Sequence, residues 1–351
     1  MRSILPLLGS TLFLSACETV PTVSPTEEQY PAANVQAAFE TPVMTSVGDS
    51  TDDPAIWIGP DGAGFIAGTD KQAGLYVYNL DGSEREFFPV GLVNNVDLRD
   101  GFQFEGRNHV LLVMSNDEIN TIEMMLYDPA EDQFFRPDGA SFQTGTLSPY
   151  GICLGRNQDG TFNAGITTKS GRYEQFSITT DGSQLTANRV RAFSTLIQTE
   201  GCVFDDRTEH LYLAQEEGNV LRYSSKTDGD DTHIVIAKAG EYGMLADLEG
   251  VTLYEQGTDG GYVLVSSQGN NSYVAFSLPN LEFAGRFRIA DGAVDGVSTT
   301  DGIAAVSTPT KQFPAGFFVA QDDMDETSPS EARKKQNFKI VDWREISTVL
   351  K

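Results

Sequence analysis

The feature that most restricts this chain is a unit that recurs six times. One copy runs from Asp247 to Asn270. It reads Asp247-Leu248-Glu249-Gly250, an apolar run to Tyr254, a Gly-rich turn, a second apolar run from Tyr262 to Val265, then Ser266-Ser267-Gln268-Gly269-Asn270. Two short apolar runs joined by a Gly turn predict an antiparallel hairpin. The start of its first strand and the end of its second then share one edge, which gathers Asp247, Glu249, Gln268 and Asn270. Asp247 and Glu249 are two apart, so in an extended strand they point the same way. Two carboxylates on one face repel unless something positive lies between them.

Equivalent openings stand at Asp52-Asp53-Pro54, Asn94-Asn95-Val96-Asp97, Pro149-Tyr150-Gly151, Thr199-Glu200-Gly201 and Thr300-Asp301-Gly302. The spacing is roughly 40 to 55 residues, the scale of a four-stranded propeller blade. Each second strand ends in a polar cluster, as in Thr69-Asp70-Lys71, Thr167-Thr168-Lys169, Gln215-Glu216-Glu217 and Gln321-Asp322-Asp323. A third strand with aromatic alternation follows most clusters, for example Gly74-Leu75-Tyr76-Val77-Tyr78. The expected fold is all-β: a six-bladed β-propeller with four-stranded blades around a central channel. Stacked blades bury both faces of each sheet, which suits strands that are apolar on both sides. Two packed β-sandwiches are the alternative. The last unit is one strand short after Asn337 to Trp343, and residues near Phe39 to Met44 are expected to close the ring and cover the open edge.

That geometry collects Asp52, Asp53, Asp97, Glu200, Glu216, Glu217, Asp247, Glu249, Asp301 and Asp322 at one mouth of the channel. Left bare, such carboxylates would raise one another's pKa, and bound divalent cations reverse the local potential. With Asp+Glu 50 against Lys+Arg 24, the net charge of -26 argues against nucleic acid or an anionic membrane surface as partner. Only 3 His and 3 Cys are present, too few for a zinc or copper cluster, so a hard cation such as calcium fits the oxygen donors better. Lys71, Lys169 and Tyr150 at the same rim suit an anionic, oxygen-rich ligand, phosphate above all. None of the three histidines has the neighbours of a catalytic triad.

The N-terminus reads as a targeting segment. Arg2 precedes a short, mostly apolar run, and Leu14-Ser15-Ala16-Cys17 matches a bacterial lipobox. Residues 1–16 are therefore expected to be a lipoprotein signal peptide, and residues 17–38 a flexible tether with Cys17 lipidated. A single domain then spans 39–351. Glu18 after Cys17 favours the outer membrane, with the protein periplasmic or at the cell surface. Cys153 and Cys202 either pair or stay as buried thiols.

Asp52-Asp53-Pro54-Ala55-Ile56-Trp57, Asn94-Asn95-Val96-Asp97-Leu98-Arg99, Thr199-Glu200-Gly201, Asp247-Leu248-Glu249-Gly250, Ser266-Ser267-Gln268-Gly269-Asn270 and Val319-Ala320-Gln321-Asp322 together resemble the β-propeller phytases, in order, from about Glu40 to Trp343. The resemblance implies a calcium-dependent 3-phytase, a phosphoric monoester hydrolase acting on phytate, myo-inositol hexakisphosphate, as its calcium complex. It implies several Ca2+ ions and a monomer. Asp52, Glu200, Glu216, Glu249 and Asp301 match ligands of the calcium cluster at the cleavage site, with Asp247, Gln268 and Asp295 completing or supporting it. Glu40 and Asp322 match positions that bind further calcium. Lys71, Tyr150 and Lys169 match phosphate-contacting residues, and Glu216 joins them as a catalytic residue. Asp53, Asn94, Asn95 and Asp97 fall inside the motifs without a separable role.

Three positions depart from the family pattern where a second phosphate would sit. Asp117 replaces a common Arg, Gln72 a second Lys, and Ser170 a Glu. A weaker grip is expected there, with Arg172 as partial compensation. Two other classes stay open on these residues: a calcium-binding propeller lactonase or esterase, and a non-enzymatic surface propeller.

Overall fold

The computed structural model describes residues 25–146, 148–325 and 335–351. The expected signal peptide and lipidated Cys17 lie outside the described residues. Within them, six sheets follow one another around a ring. Their innermost strands, blade 1 to blade 6, are Thr51–Ile58, Val96–Phe104, Pro149–Arg156, Thr199–Asp205, Val251–Gln256 and Ile303–Val306. The fold is the expected all-β six-bladed propeller. Two blades carry a fifth strand, so the blades have four or five strands.

The core is divided among the blades. Six apolar clusters are each shared by two successive blades, from Trp57, Leu75, Leu112 and Tyr127 between blades 1 and 2 to Ile66, Phe317, Val319 and Phe338 between blades 6 and 1. A middle strand such as Thr121–Asp128 is therefore buried at every residue. An outer strand such as Leu185–Ser194 alternates toward solvent. Burial on two faces explains the continuous apolar runs, since a sheet wedged between two others has no wet face.

The hairpin of blade 5 pairs Val251 with Val265 and Gln256 with Gly260, leaving a three-residue turn. Gly257 opens that turn at φ +60°, a conformation that favours glycine. In other blades the register Thr51↔Asp70, Pro149↔Thr168 and Thr199↔Gln215 sets the start of the first strand beside the end of the second, at one rim.

The ring closes with strand Phe39–Glu40, which pairs antiparallel with Asn337–Asp342 as Phe39↔Ile340. This is the edge expected near Phe39. The tether expected over 17–38, however, is partly structured. Pro25–Gln29 is a short helix, and Ala33–Gln36 adds in parallel to the outer strand Glu282–Ala290 of blade 5. Arg286, buried on that strand, holds the segment: it donates to Glu27 Oε1 at 3.2 Å, Tyr30 O at 3.0 Å and Ser272 Oγ at 2.9 Å. At the other terminus Trp343 stacks on Tyr254 with centroids 3.5 Å apart. Cys153 and Cys202 form a disulfide that joins the innermost strands of blades 3 and 4. No helix among the described residues is long and apolar enough to cross a membrane.

Breaking a buried ion pair on one side leaves an uncompensated charge, so Arg286→Met should cost about 3 kcal/mol. It should also open residues 25–38 to limited proteolysis. Unchanged melting together with unchanged protection would show that Arg286 does not hold the segment.

Candidate metal and phosphate site

The first strands begin at the channel mouth, and glycine decides how closely they meet there. A methyl group at Gly151 would stand 2.0 Å from the Glu200 carbonyl oxygen, and one at Gly201 2.2 Å from that of Glu249. Gly250 and Gly302 repeat the contact against the carbonyls of Asp301 and Asp52. Each glycine thus lets one blade press its backbone onto the site residue of the next. Hydroxyls from second strands fix two of these carbonyls and that of Tyr150: Thr167 Oγ1 donates to Glu200 O at 2.8 Å, Ser266 Oγ to Asp301 O at 2.9 Å, and Ser115 Oγ to Tyr150 O.

This packing brings five of the expected carboxylates together. Asp52, Glu200 and Asp301 each present an oxygen within 4.8 Å of the others, as do Glu200, Glu216 and Glu249. Glu200 belongs to both groups, so one buried carboxylate joins blades 1, 4, 5 and 6. Asn94 Nδ2 donates to Glu200 Oε1 at 2.9 Å, which gives the Asn94-Asn95 motif a positioning part. Gln198 Nε2 holds Glu216 Oε1 at 2.5 Å. Asp52 Oδ1, Glu200 Oε2 and Glu249 Oε2 are buried and accept no hydrogen bond, and Asp52 Oδ2 meets an ammonium, that of Lys71, without hydrogen-bond geometry. Buried carboxylate oxygens without donors are costly. A hard cation with several oxygen ligands matches this donor set.

The electrostatics point the same way. Burial, then Asp301, push Glu200 up to about 7 against the partial relief of Lys71. Burial, then Glu200 and Asp301, push Glu249 up to about 12. Asp52, Asp301 and Glu216 are also raised, burial being the first cause in each. Lys71 Nζ lies 3.3 Å from Asp52 Oδ2, 3.5 Å from Asp301 Oδ2 and 3.0 Å from Asp49 Oδ1. Burial alone would lower its pKa, but Asp52, Asp301 and Glu200 drive it well above the usual lysine range. Tyr150 is held far above the usual phenol range by burial, then by Glu200 and Asp52, so its hydroxyl stays protonated. Lys169 Nζ rests 4.4 Å from the Tyr150 ring centroid, a cation–π contact.

Other expected residues fall elsewhere. Asp247 precedes the strand Val251–Gln256 in an irregular segment, partly exposed, and joins neither carboxylate group. Its charge reaches the site by raising Glu216. Gln268 lies in the short turn Gln268–Asn270, where its N–H donates to Asp247 O at 2.9 Å. Asp295 was expected to support the main cluster and instead sits in a second acidic group with Glu40 and Asp325. The fully buried Lys339 is shared there: it contacts Asp295, Glu40 Oε2 at 2.5 Å and Asp322 Oδ2 at 3.3 Å. Burial raises Asp322 to about 7 despite Lys339. Asp53 and Asp97 are blade pins: Asp53 Oδ2 accepts from Val96 N at 3.2 Å and Asp97 Oδ2 from Leu154 N at 2.8 Å. Glu217 is exposed. Arg172 turns to Glu174 Oε1 at 2.5 Å.

Asp325 and Lys339 went unnoticed in the sequence, although Asp322-Asp323-Met324-Asp325 is an acidic run. Below the rim, the channel encloses a cavity of about 360 Å³ lined by residues such as Trp57, Arg99, Cys202 and Arg207.

Fold and site together define a propeller whose acidic rim fits hard divalent cations beside two lysines. The profile of the phytase family matches residues 2–351. A 3-phytase of Bacillus subtilis (strain 168) is 35% identical over 325 residues, covering 89% of this chain and 84% of the relative. Among solved structures, the calcium-binding protein regucalcin from Agrobacterium tumefaciens str. C58 superposes with a TM-score of 0.54 at 9% identity, covering 89% of this chain and 97% of that one. That likeness concerns the fold alone. The chain belongs to the phytase family. Membership supports hydrolase activity, and its acidic groups are consistent with a calcium-dependent phosphatase.

Two outcomes follow from the packing and the charges. Gly201→Ala should cost about 3 kcal/mol, because the added methyl overlaps a carbonyl rather than a side chain that can turn away. Calcium titration by calorimetry should then show the affinity of the main cluster weakened, and full retention of both stability and affinity would sink the backbone-contact argument. In calcium-free protein, Glu200 near 7 lies above the ordinary glutamate value of 4.5, so the folded state binds the extra proton. The Glu200 contribution to stability is then greatest below pH 4.5 and is lost as pH rises through about 7. Melting with chelator should decline across that window and melting with saturating calcium should not; parallel curves would contradict the assignment.

Proposed function

We propose that this chain hydrolyses phosphomonoesters of phytate, releasing inorganic phosphate, with calcium held at the acidic rim. The observation that carries the reading is the meeting of buried, hydrogen-bond-free carboxylate oxygens with Lys71 and the Lys169–Tyr150 pair at one mouth. Family membership supports the substrate class. Asp52, Glu200, Glu216, Glu249 and Asp301 would hold the ions of the main cluster, and Glu40, Asp295, Asp322 and Asp325 a further one. Calcium bound there would neutralise phosphate oxygens and lower the pKa of a water.

The chain's own groups supply the rest. Lys71 is fixed between Asp52 and Asp301 and presents a charge that stays protonated over the whole working range. It stabilises negative charge on the transferring phosphoryl group. Tyr150, protonated for the reasons above, keeps an O–H that would donate to a phosphate oxygen bound at the mouth, and Lys169 above its ring offers a second cation. Gln198 donates to Glu216 Oε1 and so orients this carboxylate toward the cluster it would help to form. No covalent enzyme intermediate is needed. A lactonase would have no use for two lysines and a phenol set for an anion. Export as a lipoprotein on Cys17 completes the reading and rests on the sequence of residues 1–17.

Release of phosphate from calcium phytate by the purified protein tests this directly. Glu216→Gln and Lys71→Ala should each lower turnover about 100-fold or more with the fold intact by circular dichroism. Undiminished turnover in both variants, or in metal-stripped protein, would refute the assignment.

A further inference from the structure

Residues 243–250, which lead from blade 4 into the first strand of blade 5, carry Asp247 and Glu249 yet join no strand ladder. They follow Tyr242 at φ +53°, a conformation uncommon for a residue with a side chain. Their position therefore depends on what grips them from outside. On one side is the turn Gln268–Asn270: Asn270 Nδ2 donates to Gly243 O at 2.8 Å, Leu245 N to Ser267 Oγ at 2.7 Å, and Gln268 N to Asp247 O at 2.9 Å. On the other, Leu248 N donates to Glu216 O at 2.9 Å, so this segment spaces Glu249 from Glu216. Those two carboxylates meet Glu200 in one group. Asn270 is in turn held from the N-terminal segment. Its Oδ1 accepts from Ser267 Oγ at 2.9 Å and Ser272 Oγ at 2.7 Å, and its second Nδ2 hydrogen goes to Glu27 Oε1 at 2.8 Å. Arg286 bonds both Glu27 and Ser272, so four side chains close a ring. Tyr30 packs edge-on against Tyr242 with centroids 5.3 Å apart.

We infer that Glu27 is a positioning residue for the main carboxylate cluster: through Asn270 it fixes residues 243–250, and with them the spacing of Glu249 and Glu216. The inference rests on the reading of that cluster as the calcium site of a phosphatase. Without the Glu27 carboxylate one N–H of the Asn270 amide loses its partner, and the amide loses its reason to face Gly243. Ordering a loosened carboxylate then costs affinity for the ion. The second acidic group, Glu40 with Asp295 and Asp325, has no member on residues 243–250 and serves as an internal reference.

The test uses the full chain and its Glu27→Ala, Glu27→Gln and Asn270→Ala variants. In calcium-free protein, hydrogen exchange of the peptide 243–250 should quicken about tenfold in Glu27→Ala, the scale of one lost hydrogen bond to a carboxylate. Calcium calorimetry should show the main cluster weakened about three- to tenfold and the second group unmoved. Glu27→Gln keeps an acceptor for Asn270 and should restore most of both. Asn270→Ala should shift calcium affinity at least as far, and the double variant no further. Unchanged exchange and affinity, additive losses in the double variant, or an equal loss at both acidic groups would overturn the inference, the last marking Glu27 as a support of the whole ring. Should the wild type release no phosphate from calcium phytate while exchange and calcium affinity respond, the functional reading fails and the positioning stands. Phosphate release with neither response gives the reverse.

Discussion

A glycine pressed against a carbonyl, repeated from blade to blade, is the contact on which the site depends. Gly151, Gly201, Gly250 and Gly302 each follow or adjoin a site residue and each meet the backbone of the next blade's site residue. With the carbonyls fixed, and hydroxyls of Thr167 and Ser266 bonded to those of Glu200 and Asp301, the side chains have little freedom in where they arrive. Carboxylates that would separate in solution are held together by apolar packing elsewhere in the ring. The six shared clusters between blades supply the favourable term, and the mouth of the channel bears the electrostatic strain.

Both acidic groups contain a lysine, in different settings. Lys71 is near the surface and touches aspartates from two blades and a loop. Lys339 is wholly buried and ties Glu40 of the ring-closing strand to Asp295 and Asp322. A built-in ammonium partly neutralises each group without a bound ion. In both groups it leaves carboxylates raised, Glu200 and Asp322 alike near 7, so room for further positive charge remains.

Much of the fold was legible because its signals are local. The hairpin Val251–Ser267 and its counterparts follow from apolar runs around Gly turns, and their spacing sets the blade count. The strand Ala33–Gln36 was missed because it has little apolar character of its own: it is ordered by the free edge of blade 5 and by Arg286, neither of which its sequence reveals. Within the site, Asp52, Glu200, Glu249 and Asp301 were legible from their place at the blade openings. Asp295 and Asp325 were not, since the path of a loop decides which group they join. Asp52 and Asp53 make the same point at shorter range. They are adjacent in the chain, yet one reaches the carboxylate group with Glu200 and Asp301 and the other braces the next blade.

The closure of the ring bears on when the protein becomes competent. One carboxylate group draws on Asp52, Glu200 and Asp301, from the first, fourth and last blades. The final blade needs Phe39–Glu40 to complete it. A chain still emerging from the ribosome therefore has no finished rim, however many blades it has already made. The full set of carboxylates is therefore offered to solution only once both ends of the chain are in place, late in folding rather than blade by blade.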